Sequence, residues 1–149
     1  MKTSTPKVQD FFTSARHENP SVPIGAAAYC WGGKHTVDLA SGVEANGKPL
    51  IDGGFTAHPS RLVLPTDIEK VKKPLSIAIG DKDSVISIAQ AKQTQDVLKG
   101  MGDVKSEVVV YPGAGHGFSV RAELGNEKLV EQAAKAEAQA IECFTECFN

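Results

Sequence analysis

The sequence predicts an α/β fold over residues 1–149, read as a single domain. It is expected to have three layers, with a mostly parallel sheet of about four strands between helices. Two observations lead there. Short apolar runs bounded by Gly, Pro and Asp alternate along the chain with segments of helical periodicity. One of those runs passes straight into Ala28-Tyr29-Cys30-Trp31-Gly32-Gly33, where small residues flank a cysteine. A small residue two before and a glycine two after suit a sharp strand-to-helix turn, which lifts the residue at its apex clear of the sheet.

The elements follow in order. Val8, Phe11, Phe12 and Ala15 recur at helical spacing over 8–16, and Asn19-Pro20 ends that helix. Residues 22–28 read as a buried strand, followed by the Cys30 turn and a helix from about Gly32 to Ala40. Leu50-Ile51 leads into a second strand through Gly53-Gly54-Phe55, ending near His58-Pro59-Ser60. Residues 74–79 form a third strand closed by Gly80-Asp81. A helix over 86–99 stops at Gly100 and Gly102. Residues 106–111 form a fourth strand whose β-branched run suits a central position. The last segment, 126–147, aligns Leu129, Ala133, Ala136, Ala140, Phe144 and Cys147 on one helical stripe, with its Glu and Lys residues on a solvated face.

Composition removes several classes of function. A net charge of −2 offers no basic surface for a phosphate backbone, so nucleic acid is not an expected partner. No apolar run approaches the length of a membrane span. The first residues lack the apolar core of a signal peptide, and three cysteines make no disulfide framework, so the expected location is cytoplasmic.

The candidate site rests on three residues in the order nucleophile, acid, histidine. Cys30 stands between a strand end and a helix N-terminus, where the helix dipole and free N–H groups favour a thiolate. The Trp31 amide beside it is placed to donate to an oxyanion. His116 lies among Gly113, Gly115 and Gly117, which let a loop fold back over the sheet edge and bring a general base to the nucleophile. Asp83 and Asp81 compete to orient that histidine, and either also reads as a turn or cap residue. Asp83 is preferred because it lies further into the loop. His58, before Pro59 at a strand end, reads as lining a pocket, whereas His17 and His35 read as surface or packing residues. The Gly113-Ala114-Gly115 run is no dinucleotide fingerprint, because Phe118 replaces its third glycine and no clear helix follows. Cys143 and Cys147, one helical turn apart without a nearby histidine, make no metal site.

Together, Tyr29-Cys30-Trp31-Gly32-Gly33-Lys34, Ala57-His58-Pro59-Ser60, Gly80-Asp81-Lys82-Asp83 and Gly115-His116-Gly117-Phe118 resemble the dienelactone hydrolase family of α/β-hydrolases, fungal-type members above all. The resemblance covers nearly the whole chain. It implies the C-terminal portion of an α/β-hydrolase fold, and cofactor-free hydrolysis of a small ester or lactone through an acyl-thioester. It further implies Cys30 as nucleophile, His116 as base, Asp83 as orienting acid, and Arg121 near the place of an arginine that contacts the substrate carboxylate. Family members carry several strands ahead of the elbow, where this chain has about twenty residues. Those strands supply a second oxyanion-hole amide and polar residues that touch the substrate. Without them the elbow strand has an open edge, which favours self-association. The competing expectation is a weak or inactive fragment acting by association. A thiol redox role would need a resolving cysteine near Cys30, and the others lie over a hundred residues away.

Overall fold

A computed structural model describes residues 1, 3–102, 104–122 and 125–149. Its sheet contains β1 (Gly25–Tyr29), β4 (Gly53–Ala57), β5 (Leu75–Lys82) and β6 (Ser106–Gly115), all parallel, in the order β1-β4-β5-β6. The helices are α1 (Ser4–Glu18), α2 (Gly32–Ala40), α3 (Ile88–Gly100) and α4 (Glu127–Phe148). Side chains alternate across each strand, so the sheet has two cores. Leu75, Ile77 and Ile79 pack with Val37, Leu39, Ala91 and Leu98, which come from α2 and α3. On the other face Phe55, Ala57, Ala78 and Tyr111 pack with Phe118 and with Ala136 of α4. This is an α/β fold in three layers around a parallel four-stranded sheet, as expected.

Parallel strands deliver all four following loops to one end of the sheet. Tyr29 pairs with Ala57 and Ala57 with Ala78, so Cys30 and His58 leave at one level, while β5 continues past Ala78 to Lys82 before its loop begins. β6 runs beside β5 as far as Gly115, with an irregularity between Gly80 and Lys82. A side chain at Gly80 would strike the Ala114 carbonyl, so only glycine allows the two strands to stay this close.

Several expectations need correction. β6 lies at the sheet's edge rather than centrally. Its Val108 and Tyr111 are buried because α3 and α4 cover its two faces, and its β-branched run reports covered faces, not neighbours on both sides. β6 also extends through Gly113, which the sequence placed in a loop. β1 forms the other edge, as the family resemblance implied, but it begins at Gly25, and its Ala27 and Tyr29 are exposed rather than buried. Residues 22–24 are held outside the sheet: Arg16 Nη1 donates to the Val22 carbonyl at 2.9 Å, and the Asp52 carboxylate accepts from Ile24 N–H at 2.8 Å. Arg16 itself is buried and pairs with Asp52 at 2.5 Å, fixing α1 to the start of β4.

A short hairpin, β2 (Glu44–Ala45) with β3 (Lys48–Pro49), went unread in the sequence. Asn46 and Gly47 turn it with φ of 54° and 73°, the positive values that an Asn-Gly hairpin turn requires. The stripe on α4 also includes two buried amides. Gln139 donates to Ser76 Oγ at 2.7 Å and accepts from Tyr111 O–H at 2.8 Å, while Gln132 donates to the Pro112 carbonyl at 2.5 Å.

Candidate active site

Cys30 has a φ of 52°, a left-handed backbone that costs a non-glycine residue free energy and is held by its surroundings. Those surroundings are dense. A Cβ at Gly32 would lie 3.1 Å from Ala28 Cβ, and one at Gly33 would lie 2.7 Å from Pro59 Cβ. Cys30 N–H donates to the Ala57 carbonyl at 3.3 Å, and the Cys30 carbonyl accepts from Gly33 N–H at 3.0 Å and Ser60 N–H at 2.9 Å. The small residues of the sequence thus allow the turn, and β4 with its following loop fixes it.

His116 follows directly on β6, and Gly117 then turns the chain with a φ of 91°. Its Nε2 stands 3.1 Å from Cys30 Sγ, and its Nδ1 lies 3.0 Å from Asp83 Oδ2 and 3.1 Å from Oδ1. The Asp83 carboxylate is wholly shielded from solvent and also accepts from the N–H groups of Val85 at 2.7 Å and Ile86 at 3.2 Å. Asp81 is engaged elsewhere, accepting from Gly113 N–H at 2.6 Å. The structure therefore brings Cys30, His116 and Asp83 together and leaves Asp81 outside the group.

Electrostatics follow from this geometry. The hydrogen bond with His116 draws the Cys30 thiol below its usual value, against the opposing effect of burial, with Ser60 and the Trp31 amide adding to the lowering. Burial pulls the His116 imidazole down, but the bond with Cys30 and the charge and hydrogen bond of Asp83 outweigh it, and the net shift is upward. Both shifts favour a proton on His116 and a negative charge on sulfur. Burial pushes Cys143 up to about 12 and raises Cys147 as well.

The remaining expected residues surround this group differently. The Trp31 amide contributes to lowering the Cys30 thiol, while Trp31 itself is 53% exposed. His58 is buried behind His116, ring centroids 5.1 Å apart; its Nε2 is 2.9 Å from Ser119 Oγ, and its Nδ1 has no hydrogen-bond partner among the described residues. Burial and the neighbouring His116 push His58 down to about 4, so it stays neutral. The exposed Arg121 guanidinium lies over Gly117, 2.7 Å from where a Cβ would stand. Ser60, to which the sequence assigns no role, places its hydroxyl 3.7 Å from Cys30 Sγ. His17 is exposed on α1, and His35 is buried on α2 with Nε2 3.1 Å from Ser4 Oγ.

A cavity of about 260 Å³ beside the elbow strand is lined by Tyr29, Phe55, Ser119, Ala136 and Glu137. A larger cleft of about 330 Å³, lined by Ser76, Glu107, Cys143 and Cys147 among others, opens where β5 and β6 begin, at the opposite end of the sheet from Cys30. Among the described residues, no three His, Cys, Asp or Glu side chains are placed to hold a metal ion. No helix among them is long and apolar enough to cross a membrane.

A parallel α/β sheet whose loops gather a cysteine, a histidine and an aspartate at one end places the chain among the α/β-hydrolases. The model of the dienelactone hydrolase family matches residues 2–149, and the chain belongs to that family. It is 30% identical over 146 residues to Hydrolase tropI of Talaromyces stipitatus, an alignment covering 97% of this chain and 54% of that one. Hydrolase pyvD of Aspergillus violaceofuscus is 28% identical over 105 residues, covering 70% of this chain and 40% of the relative. Among solved structures, a putative dienelactone hydrolase from Klebsiella pneumoniae superposes with a TM-score of 0.64 at 23% identity, covering 88% of this chain and 57% of that one. A dienelactone hydrolase-like promiscuous phosphotriesterase from metagenomic libraries gives a TM-score of 0.66 at 20% identity, covering 92% and 59% respectively. The chain thus spans about half the length of the curated relatives it matches.

Proposed function

We propose that this hydrolase cleaves a small ester or lactone with Cys30 as nucleophile, His116 as general base and Asp83 as its orienting acid. The contact of Cys30 Sγ with His116 Nε2 at 3.1 Å, with Nδ1 held by Asp83, carries the reading. The sulfur attacks the acyl carbon and His116 holds the proton. The Trp31 amide donates to the oxyanion, and the leaving oxygen departs with the proton from His116. A water then gives its proton to His116, attacks the thioester and releases the acid, and the thiolate is restored. No step calls for a cofactor. Arg121, beside the His116 loop, is the proposed contact for an anionic substrate group. His58, behind His116, bounds the site from within. A cytoplasmic location belongs to the same reading, supported by three free cysteines.

The test is turnover of p-nitrophenyl acetate against a Cys30→Ala control, with intact mass after rapid acid quench. Release of p-nitrophenol above the control, with an acetyl group on Cys30, is expected. Equal rates for the two proteins would refute the assignment.

A further inference from the structure

We propose that Ser60 is a further catalytic residue, whose hydroxyl donates to the Cys30 sulfur and, together with His116, holds it as a thiolate in the free protein. The proposal rests on Cys30 being the nucleophile.

The loop after β4 places this hydroxyl with little freedom. His58 turns the chain with a φ of 40°, and its N–H donates to the Ala78 carbonyl at 2.7 Å. Pro59 packs where Gly33 lacks a side chain. Ser60 N–H then donates to the carbonyl of Cys30 itself at 2.9 Å. The serine backbone is thereby tied to the residue its side chain serves, and Oγ stands 3.7 Å from Sγ. Among the described residues, that sulfur is the one hydrogen-bond partner of the Ser60 side chain. A half-buried hydroxyl with this single partner donates to it once the sulfur is charged, because a thiolate accepts more strongly than a thiol.

Two donors then meet the sulfur from different loops, His116 Nε2 after β6 and Ser60 Oγ after β4. Asp83 stands behind His116. On α2, the Lys34 ammonium is engaged by Asp38 and Asp67, and His35 stands across Trp31 with its own imidazole lowered by burial. His116 is therefore the charged group facing Cys30, and Ser60 supplies the neutral donor. Ser60 keeps its proton throughout. Its bond to sulfur is strong in the thiolate, weakens when the sulfur joins the acyl carbon, and returns when the carbon–sulfur bond breaks in deacylation.

Alkylation by iodoacetamide tests this without an acyl substrate: thiolate displaces iodide, a carbon–sulfur bond forms, and no oxyanion appears. The rate at Cys30, followed by mass from about pH 5 to 10, reports the thiolate fraction. A hydrogen bond to a charged group supports a shift of about half to one pH unit at this long distance. Ser60→Ala is expected to raise the midpoint by that amount, slowing alkylation about three- to tenfold on the acid limb while leaving the alkaline plateau unreduced. Ser60→Gly, which keeps the backbone N–H, should do the same, and Ser60→Thr should restore the native midpoint. A low native midpoint that neither hydroxyl deletion moves would overturn the role of Ser60. A native midpoint near that of a free thiol would instead sink the reading of Cys30 as an activated nucleophile.

Discussion

The Asp83 carboxylate meets the His116 ring at Nδ1, 3.0 Å from Oδ2, while two backbone N–H groups from Val85 and Ile86 share Oδ1. These donors leave the carboxylate little freedom to turn away. An acceptor at Nδ1 fixes the tautomer and leaves Nε2 facing sulfur. Asp83→Asn offers either an amide oxygen or an N–H there, and a misoriented or wrongly protonated imidazole is a poor base. Ester turnover should fall by about a thousand- to ten-thousandfold. Asp81→Asn retains an acceptor for Gly113 N–H and should cost little. Comparable losses in the two variants would remove Asp83 from the mechanism.

The three thiols should differ in reactivity. Cys30 is lowered by its bond with His116, whereas burial raises Cys143 and Cys147. Near pH 7 iodoacetamide should modify Cys30 well over tenfold faster than either of the others, as peptide mapping of a time course would show. His116→Ala should bring Cys30 towards the slow pair. Equal labelling of all three in the folded protein would contradict the site.

How much of this was legible in the sequence depended on whether a local rule was involved. The Cys30 turn was visible because it needs small residues at fixed offsets: a Cβ at Gly32 would lie 3.1 Å from Ala28 Cβ. The alternation of strands and helices was visible because each element's periodicity is local. Strand order was not, apart from the open edge at β1 that the family resemblance implied. The apolar run of β6 reflects covered faces, that of β1 continues over the exposed Ala27 and Tyr29, and no local pattern distinguishes a covered face from a paired edge. Gln132 and Gln139 hid in the α4 stripe because their partners lie on β5, β6 and the strand's Pro112, far off in sequence. Ser60 was hidden for the same reason. Its partner is thirty residues away, and a Pro-Ser pair after a strand reads as an ordinary turn.

His58 makes stability depend on acidity. Its folded-state value of about 4 lies below the ordinary 6.5, so the unfolded chain takes up a proton that the folded protein refuses. The neutral ring's contribution is whole above about pH 6.5. It declines as the pH falls towards 4 and is then spent, with a total of at most about 3 kcal/mol. His116 has the opposite sign, its raised value adding stability on the acid side, so comparison with a variant isolates His58. His58→Asn keeps a side chain that tolerates the φ of 40°. Its deficit in urea melts should be largest near pH 7 and shrink or reverse by pH 4. A deficit independent of pH would mean that His58 protonates freely in the folded protein.

The last expectation concerns the edge of the sheet at β1. Ile24 O accepts from Asp52 N–H at 2.7 Å and Cys30 N–H donates to Ala57 O, so the even-numbered residues direct their backbone groups at β4. The N–H and C=O groups of Gly25, Ala27 and Tyr29 therefore face away from the sheet. Nothing in Gly25-Ala26-Ala27-Ala28-Tyr29 blunts this edge, since it carries neither a charge nor a proline. Nearby, the rings of Phe144 and Phe148 lie against Gly25, and Tyr29 and Phe148 are about two-fifths exposed, which adds apolar surface to unpaired backbone. Sedimentation velocity over a concentration series should show a reversible dimer or larger species. Ala27→Pro removes an outward N–H at an edge position, where proline is tolerated, and should shift the protein towards monomer with little loss in Tm. A native protein that stays monomeric throughout the series would show that this edge does not pair with a second copy.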